Sequence, residues 1–228
     1  MAKKKVVLFI VEGVNDKTCL EGVLRRIISS NEVAFQITYG DVTTDLGMDK
    51  DKIRNKIGTI VKEYKDKYRL APGHFMQVVH IIDMDGAFIS DSMIKKANVE
   101  DPLYLDSGIE TNNVDYIVNR NRNKREIVER MLTLKTVLKT VPYSVYYFSS
   151  NMDHVLHNNA NMSREEKDHA ADAFDEQYSE DTDGFLKLLC DSDFSVKGDY
   201  KSSWQFIQTN NRSICRYSNF SVFLDLYR

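Results

Sequence analysis

The stretch VVLFIV at residues 6–11 constrains this chain most. It is a run of β-branched and apolar residues with no polar alternation. A strand with one wet face alternates; a strand covered on both faces does not, so residues 5–11 read as a buried strand. A helix is expected directly after it, because Cys19, Leu20, Val23, Leu24, Ile27 and Ile28 recur at helical spacing over 15–29. Residues 34–39 alternate as a strand ending at Gly40, and Ile53, Ile57, Ile60, Val61 and Tyr64 place an amphipathic helix over 50–68. Residues 76–82 form the next buried strand. Strand, helix, strand, helix, strand predicts an α/β fold with an open, mostly parallel sheet flanked by helices.

The rest of the chain is read more coarsely. Residues 89–120 are the least regular and are expected to be an insertion. Residues 121–139 read as a helix, 143–149 as a fourth strand, and 163–190 as mostly helical with an acidic middle. From 191 onward aromatic residues are frequent. The expected organisation is a core over 1–150 and a helical, aromatic-rich extension over 151–228 packed on it.

Composition narrows the classes. A chain of 228 residues can bury a sizeable core, and its formal net charge of −3 argues against a generally basic nucleic-acid coat. The 3 cysteines (Cys19, Cys190 and Cys215) are far apart, so a zinc module or disulfide framework is not expected. The apolar run after the N-terminal lysines ends at Glu12, too short for a signal peptide or a membrane span. A reducing, cytoplasmic setting and no membrane partner are expected.

Charge sits where buried strands end. The first strand runs into VEGVND, with Glu12 and Asp16; the third runs into DMDG, with Asp83 and Asp85. Ligands of open parallel sheets bind beyond the carboxyl ends of the strands. Two carboxylates about 4 Å apart repel by about 4 kcal/mol at an effective dielectric near ~20. Four together call for a cation, and oxygen ligands suit Mg²⁺ or Mn²⁺. Neutralising Asp83 or Asp85 is then expected to leave the fold intact or more stable. The plainer reading of Asp-x-Asp-Gly is a turn, with the aspartates bonded to backbone N–H groups.

These two motifs, VVLFIVEGVNDKTCLEGVL and VVHIIDMDGAF, together resemble the TOPRIM domain of topoisomerases, primases and certain nucleases. That family carries a strand ending in Glu-Gly and a later strand ending in Asp-x-Asp. The resemblance covers roughly residues 5–90, plus the strand at 143–149 by order. It implies that Glu12 is a general acid/base or metal ligand and that Asp83 and Asp85 hold Mg²⁺. Asp16 matches the E-x-x-x-D pattern of the nuclease branch, such as the overcoming-lysogenization-defect nucleases. The length leaves no room for topoisomerase strand-passage domains, and the cysteine count none for primase zinc modules. A small Mg²⁺-dependent nuclease acting on DNA or RNA is therefore expected, of ribosomal-RNA-maturase or phage-defence type, as a homodimer or in a larger defence complex.

Two alternatives stand beside it. IIDMDGAF also resembles the first motif of haloacid-dehalogenase-like phosphatases, which would make Asp83 the nucleophile, Asp85 the acid/base and Ser149 the second-motif serine. Against this, the motif sits behind two strand–helix units, and no later acidic pair follows an apolar strand. The other alternative is a non-catalytic TOPRIM-like module that binds a nucleotide or partner at its acidic edge.

Further candidates follow the fourth strand. FSSNMDHVLHN offers Asp153 and His154 on the catalytic edge, with His157 beside them; a helix cap by Ser150 or Asn151 is the bland reading. The run NRNRNKR gathers Arg120, Arg122, Lys124 and Arg125, the expected nucleic-acid contact, or else only a solvated helix start. Arg212 and Arg216 near Tyr217 are a weaker second strip.

Overall fold

The structure is a computed structural model describing residues 5–45 and 47–228. The strands and helices, in chain order, are β1 (Val6–Val11), α1 (Val14–Ile27), β2 (Glu32–Ile37), α2 (Ile53–Lys67), β3 (Phe75–Asp83), β4 (Ile94–Lys96), β5 (Leu103–Leu105), β6 (Gly108–Thr111), α3 (Val114–Thr133), β7 (Thr136–Val137), β8 (Val141–Phe148), α4 (Met152–His157), α5 (Arg164–Tyr178), α6 (Thr182–Asp191), α7 (Tyr200–Ile207) and α8 (Phe220–Leu224). The main sheet has the order β2-β1-β3-β8-β7. β1 runs parallel to both β2 and β3, and β7 pairs antiparallel with β8. The α/β class and the mostly parallel sheet flanked by helices are as the apolar runs predict. Among the described residues no helix is long and apolar enough to cross a membrane.

The chain forms two compact units. One holds the chain up to Ile81, Glu126–Val145 and Ala171–Thr182; the other holds Ile82–Arg125, Tyr146–Ala170 and Asp183–Arg228. The division is not the boundary at 150/151 drawn from composition. β3 and β8 each contribute residues to both units, so the break follows packing and not chain order.

In the first unit, Val7 through Val11 are fully buried, which is why the run carries no polar residue. β1 lies in register with β2 from Val6 opposite Glu32 to Val11 opposite Ile37, and with β3 up to Ile10 opposite His80. Phe9 stacks on Phe35 of β2 at 5.1 Å between ring centroids. α1 buries Cys19, Leu20, Val23 and Leu24. Its far side meets the end of α5 at Gly22, where a Cβ would lie 2.7 Å from Asp175 Oδ1 and 2.8 Å from Ser179 Cβ. The acidic segment thus approaches α1 through a missing side chain, and Arg26 bonds Glu180 at 2.7 Å.

In the second unit the irregular stretch expected over 89–120 contains a small sheet of order β4-β6-β5. Its strands are only three or four residues long, below what period-2 alternation reveals. Ile94 and Ile109 join Ile89, Ile117 and Ile214 in a small core of its own. Gly108 makes the close approach possible: its φ is +136°, and a Cβ there would sit 1.9 Å from the Met93 carbonyl oxygen. After β8 the chain carries α4 to α8. Ser218 Oγ donates to the Tyr147 carbonyl, Asn219 Oδ1 accepts from Tyr147 N–H, and Phe220 and Phe223 pack on Tyr146.

The helix expected over 121–139 is displaced. α3 starts at Val114 and ends at Thr133, so the basic run lies inside it and not at its start. Ile117 and Val118, within the stretch expected to be irregular, belong to α3, and Leu138, within the expected helix, has φ +46°.

Candidate functional site

The candidate site in the second unit is built on the turn that ends β3. Met84 is fully buried, which leaves its neighbours Asp83 and Asp85 partly exposed. Asp85 is left-handed, with φ +47°, and Gly86 follows at φ +67°. Such a conformation is uncommon for a side-chain-bearing residue and needs support from around it. Asp85 N–H donates to the Ser150 carbonyl at 2.8 Å and Gly86 N–H to the Ser213 carbonyl at 3.2 Å. Ser150, itself at φ +50°, donates through Oγ to the Ile214 carbonyl at 2.8 Å. Three chain segments therefore fix the direction of the Asp85 side chain.

Asp85 faces two cations. Lys124 Nζ lies 2.5 Å from Asp85 Oδ2, with the lysine side chain 0% and the aspartate side chain 20% exposed. Arg120 donates from Nη2 to the Asp85 backbone carbonyl at 2.8 Å and from Nη1 to Tyr104 Oη at 2.8 Å. Asn121 Oδ1 accepts from Arg120 Nη2 at 2.8 Å, while its Nδ2 donates to the Gly86 carbonyl at 3.2 Å. Tyr104 Oη is 3.4 Å from Asp85 Oδ1, a weak contact. Burial, and next the Asp85 charge, push the Tyr104 phenol pKa up, so it stays a protonated donor.

Asp83 is placed differently. Its Oδ1 accepts from Met152 N–H at 3.0 Å, at the start of α4, where Asn151 is the cap and accepts from His154 N–H at 2.8 Å. The cap by Asn151 is thus the arrangement present. Asp153 pairs with Lys167 at 2.9 Å. His154 is pulled below its ordinary pKa by burial first, with the Asp106 charge opposing and that of Arg216 adding; its Nδ1 is buried with no hydrogen-bond partner among the described residues. A neutral imidazole is the form this favours.

The basic run does not form the surface strip expected of it. Of its four members, Lys124 is fully buried and Arg120 is turned inward onto the Asp85 turn. The reason is helical phase: Ile117, Asn121 and Lys124 fall four and three residues apart on the buried face of α3. Arg122 remains exposed, and it and Arg125 lie 3.8 and 3.7 Å from Asp91. Lys124 as a surface phosphate contact is therefore corrected; it is a buried partner of Asp85. Sequence reasoning also missed Tyr104 and Asn121. A lysine seven residues after Ile117 was the available signal for Lys124; nothing in the sequence pointed to Tyr104.

Glu12 and Asp16 belong to the first unit. Glu12 follows β1, and its carbonyl accepts from Gly40 N–H at 3.1 Å. Asp16 Oδ2 accepts from Gly13 N–H at 2.8 Å and closes the first turn of α1. Ser149, the serine of the phosphatase alternative, is fully buried; its Oγ donates to the Cys215 carbonyl and accepts from Tyr217 N–H at 2.6 Å.

Among the described residues no group of three or more His, Cys, Asp or Glu is gathered to hold a metal ion. Comparison with known protein families, with curated proteins and with solved structures finds no match to this chain.

Proposed function

We propose that this protein is a Mg²⁺-dependent phosphodiesterase of TOPRIM type that hydrolyses nucleic acid. The observation that carries the reading is the buried Lys124 held on Asp85, with Arg120 beside it and Asp83 two residues away. A lysine without any exposed surface is a costly way to support a turn. Carboxylates and cations gathered at one strand end are what phosphoryl chemistry uses: acids for a metal ion, bases for the phosphate oxygens. β1 and β3 are parallel neighbours, and each runs into a carboxylate motif at its C-terminal end.

The donor set is chemically suited to Mg²⁺. Asp83 and Asp85 offer only hard oxygens, and among the described residues the contact of Asp85 Oδ1 is with Tyr104 Oη at 3.4 Å. When bound, the ion would polarise a phosphate and lower the pKa of a coordinated water. In this proposal Asp83 and Asp85 hold it, with Asp83 oriented by Met152 N–H. Lys124 holds the Asp85 carboxylate from its buried side, and Arg120 adds positive charge beside the phosphate that a substrate brings to the turn. Exposed Arg122 and half-buried Arg125 remain the members of the basic run able to meet a nucleic-acid backbone. The acid/base part for Glu12 and the ligand part for Asp16 rest on the resemblance, as do the auxiliary parts for Asp153 and His154. The commitment of the Ser149 hydroxyl to backbone groups disfavours the phosphatase alternative.

The test is cleavage of DNA, tRNA and ribosomal RNA with Mg²⁺ or Mn²⁺ and with chelator. Activity should need the metal and fall by about 100-fold or more in Asp83→Asn and in Glu12→Gln. A beryllofluoride adduct on Asp83, with normal turnover by Glu12→Gln, would hand the chain to the phosphatase reading.

A further inference from the structure

A second site lies in the second unit, built on side chains to which the proposed nuclease chemistry gives no part. The end of α6 and the segments that follow it enclose a cleft of about 630 Å³, lined by Leu188, Asp193, Phe194, Cys215, Arg216 and Tyr217. That size suits a small organic ligand.

Arg216 is the unusual member. Its guanidinium sits over the Phe194 ring at 4.6 Å, and its Nε and Nη2 both donate to the Val155 carbonyl, at 2.9 and 2.8 Å. The group is therefore held in one orientation. Among the described residues these bonds use two of the five N–H donors of a guanidinium. No carboxylate pairs with Arg216 among the described residues, and burial alone draws its pKa down. Asp193, exposed on the same cleft, likewise has no cationic partner among them. One cleft thus carries an unpaired cation and an unpaired carboxylate that do not neutralise each other.

We propose that this cleft binds a ribonucleotide. A ligand that satisfies it must bring an anion to Arg216, hydrogen-bond donors to Asp193, and a flat apolar body for the ring-lined wall. A nucleotide brings all three. Its phosphate meets the remaining N–H fork of Arg216, a charge-assisted geometry. Its ribose hydroxyls donate to Asp193, as they do to acidic residues in dinucleotide sites. Its base lies against the aromatic wall, where Phe206 holds Tyr217 edge-on at 4.9 Å. Inorganic phosphate engages only Arg216, and a nucleoside only Asp193 and the rings. This site stands independently of the nuclease reading. It shares a backbone with the Asp85 turn, since Ser213, three residues before Arg216, accepts from Gly86 N–H and, through Oγ, from Phe88 N–H at 2.9 Å.

The test is calorimetric titration of the full chain with AMP, GMP, CMP and UMP, with their 2′-deoxy forms, with adenosine, with inorganic phosphate and with glutamine as a zwitterion. At least one ribonucleotide should bind, and adenosine and phosphate should each bind about tenfold or more weaker, the loss of a charge-assisted bond. Arg216→Met should weaken the nucleotide about tenfold or more. Asp193→Asn should weaken it and narrow the gap between ribo- and deoxy-forms. Because Arg216 also anchors Val155, thermal melts accompany both variants; if Arg216→Met does not fold, Asp193→Asn, at an exposed position, decides. The proposal is overturned if no nucleotide binds at about 1 mM, if binding is the same in the folded variants, or if phosphate or glutamine binds more tightly than every nucleotide.

Discussion

The pairing of Lys124 with Asp85 reverses the sign of a mutational effect, and a double-mutant cycle can measure it. At 2.5 Å two unit charges attract by about 7 kcal/mol at an effective dielectric near ~20. Taking both from water returns several kcal/mol per ion, and more for Lys124, which has no exposed side-chain surface, than for Asp85, which keeps 20%. Asp85→Asn removes the carboxylate charge 2.5 Å from a buried ammonium, and should cost about 3 kcal/mol. Lys124→Met leaves a carboxylate that water still reaches, and should cost about 2 kcal/mol. With both charges gone the double variant should lose about 2 kcal/mol, less than the sum, a coupling of about 3 kcal/mol. Urea unfolding of the four proteins, with unchanged slopes, gives the cycle. Additive losses, within about 0.5 kcal/mol, would refute the pairing. The view of a repelling acidic cluster expects Asp85→Asn to be neutral or stabilising, so a gain would restore it.

Three more outcomes follow from individual residues. His80 is fully buried against Tyr143 Oη at 2.9 Å, and burial, opposed by the Asp41 charge, lowers its pKa to about 4. Stability is complete above the unfolded histidine's pKa near ~6.5 and falls as pH drops toward about 4, where only the unfolded chain takes the proton, by about 3 kcal/mol in all. His80→Gln should flatten that stretch of a stability-versus-pH curve, and an unchanged slope would show that the histidine titrates normally. Gly108→Ala should cost about 3 kcal/mol or more, through the positive φ and the Met93 carbonyl; hydrogen exchange of β4 and β6 reads it, and intact protection would refute it. Gly22→Ala adds helix propensity worth about 1 kcal/mol but meets Asp175 and Ser179; a net loss in thermal melts is expected, and a gain would mean the approach of α5 is loose.

Some of this protein is written in residue order. VVLFIV can only be a strand covered on both faces, and the helical spacing of Cys19 through Ile28 can only follow it as α1; both are local periodicities that the hydrophobic effect reads directly. The same logic placed β3 and therefore located Asp83 and Asp85 at a strand end. Beyond residue 150 composition marks only the frequent aromatic residues, and which rings meet is decided by the fold. The small β4-β6-β5 sheet did not, because strands of three residues carry too little alternation, and its closure rests on one glycine meeting one carbonyl. The start of α3 was missed for a related reason: once Ile117 is left out of the pattern, Lys124 looks like one more solvated charge. Only the tertiary structure puts that ammonium beneath Asp85, since opposite charges 39 positions apart have no local signal and pair only when packing removes the water between them. The Arg216 cleft is of the same kind: its cation and its carboxylate come from separate segments, and no spacing in the sequence brings them to one wall.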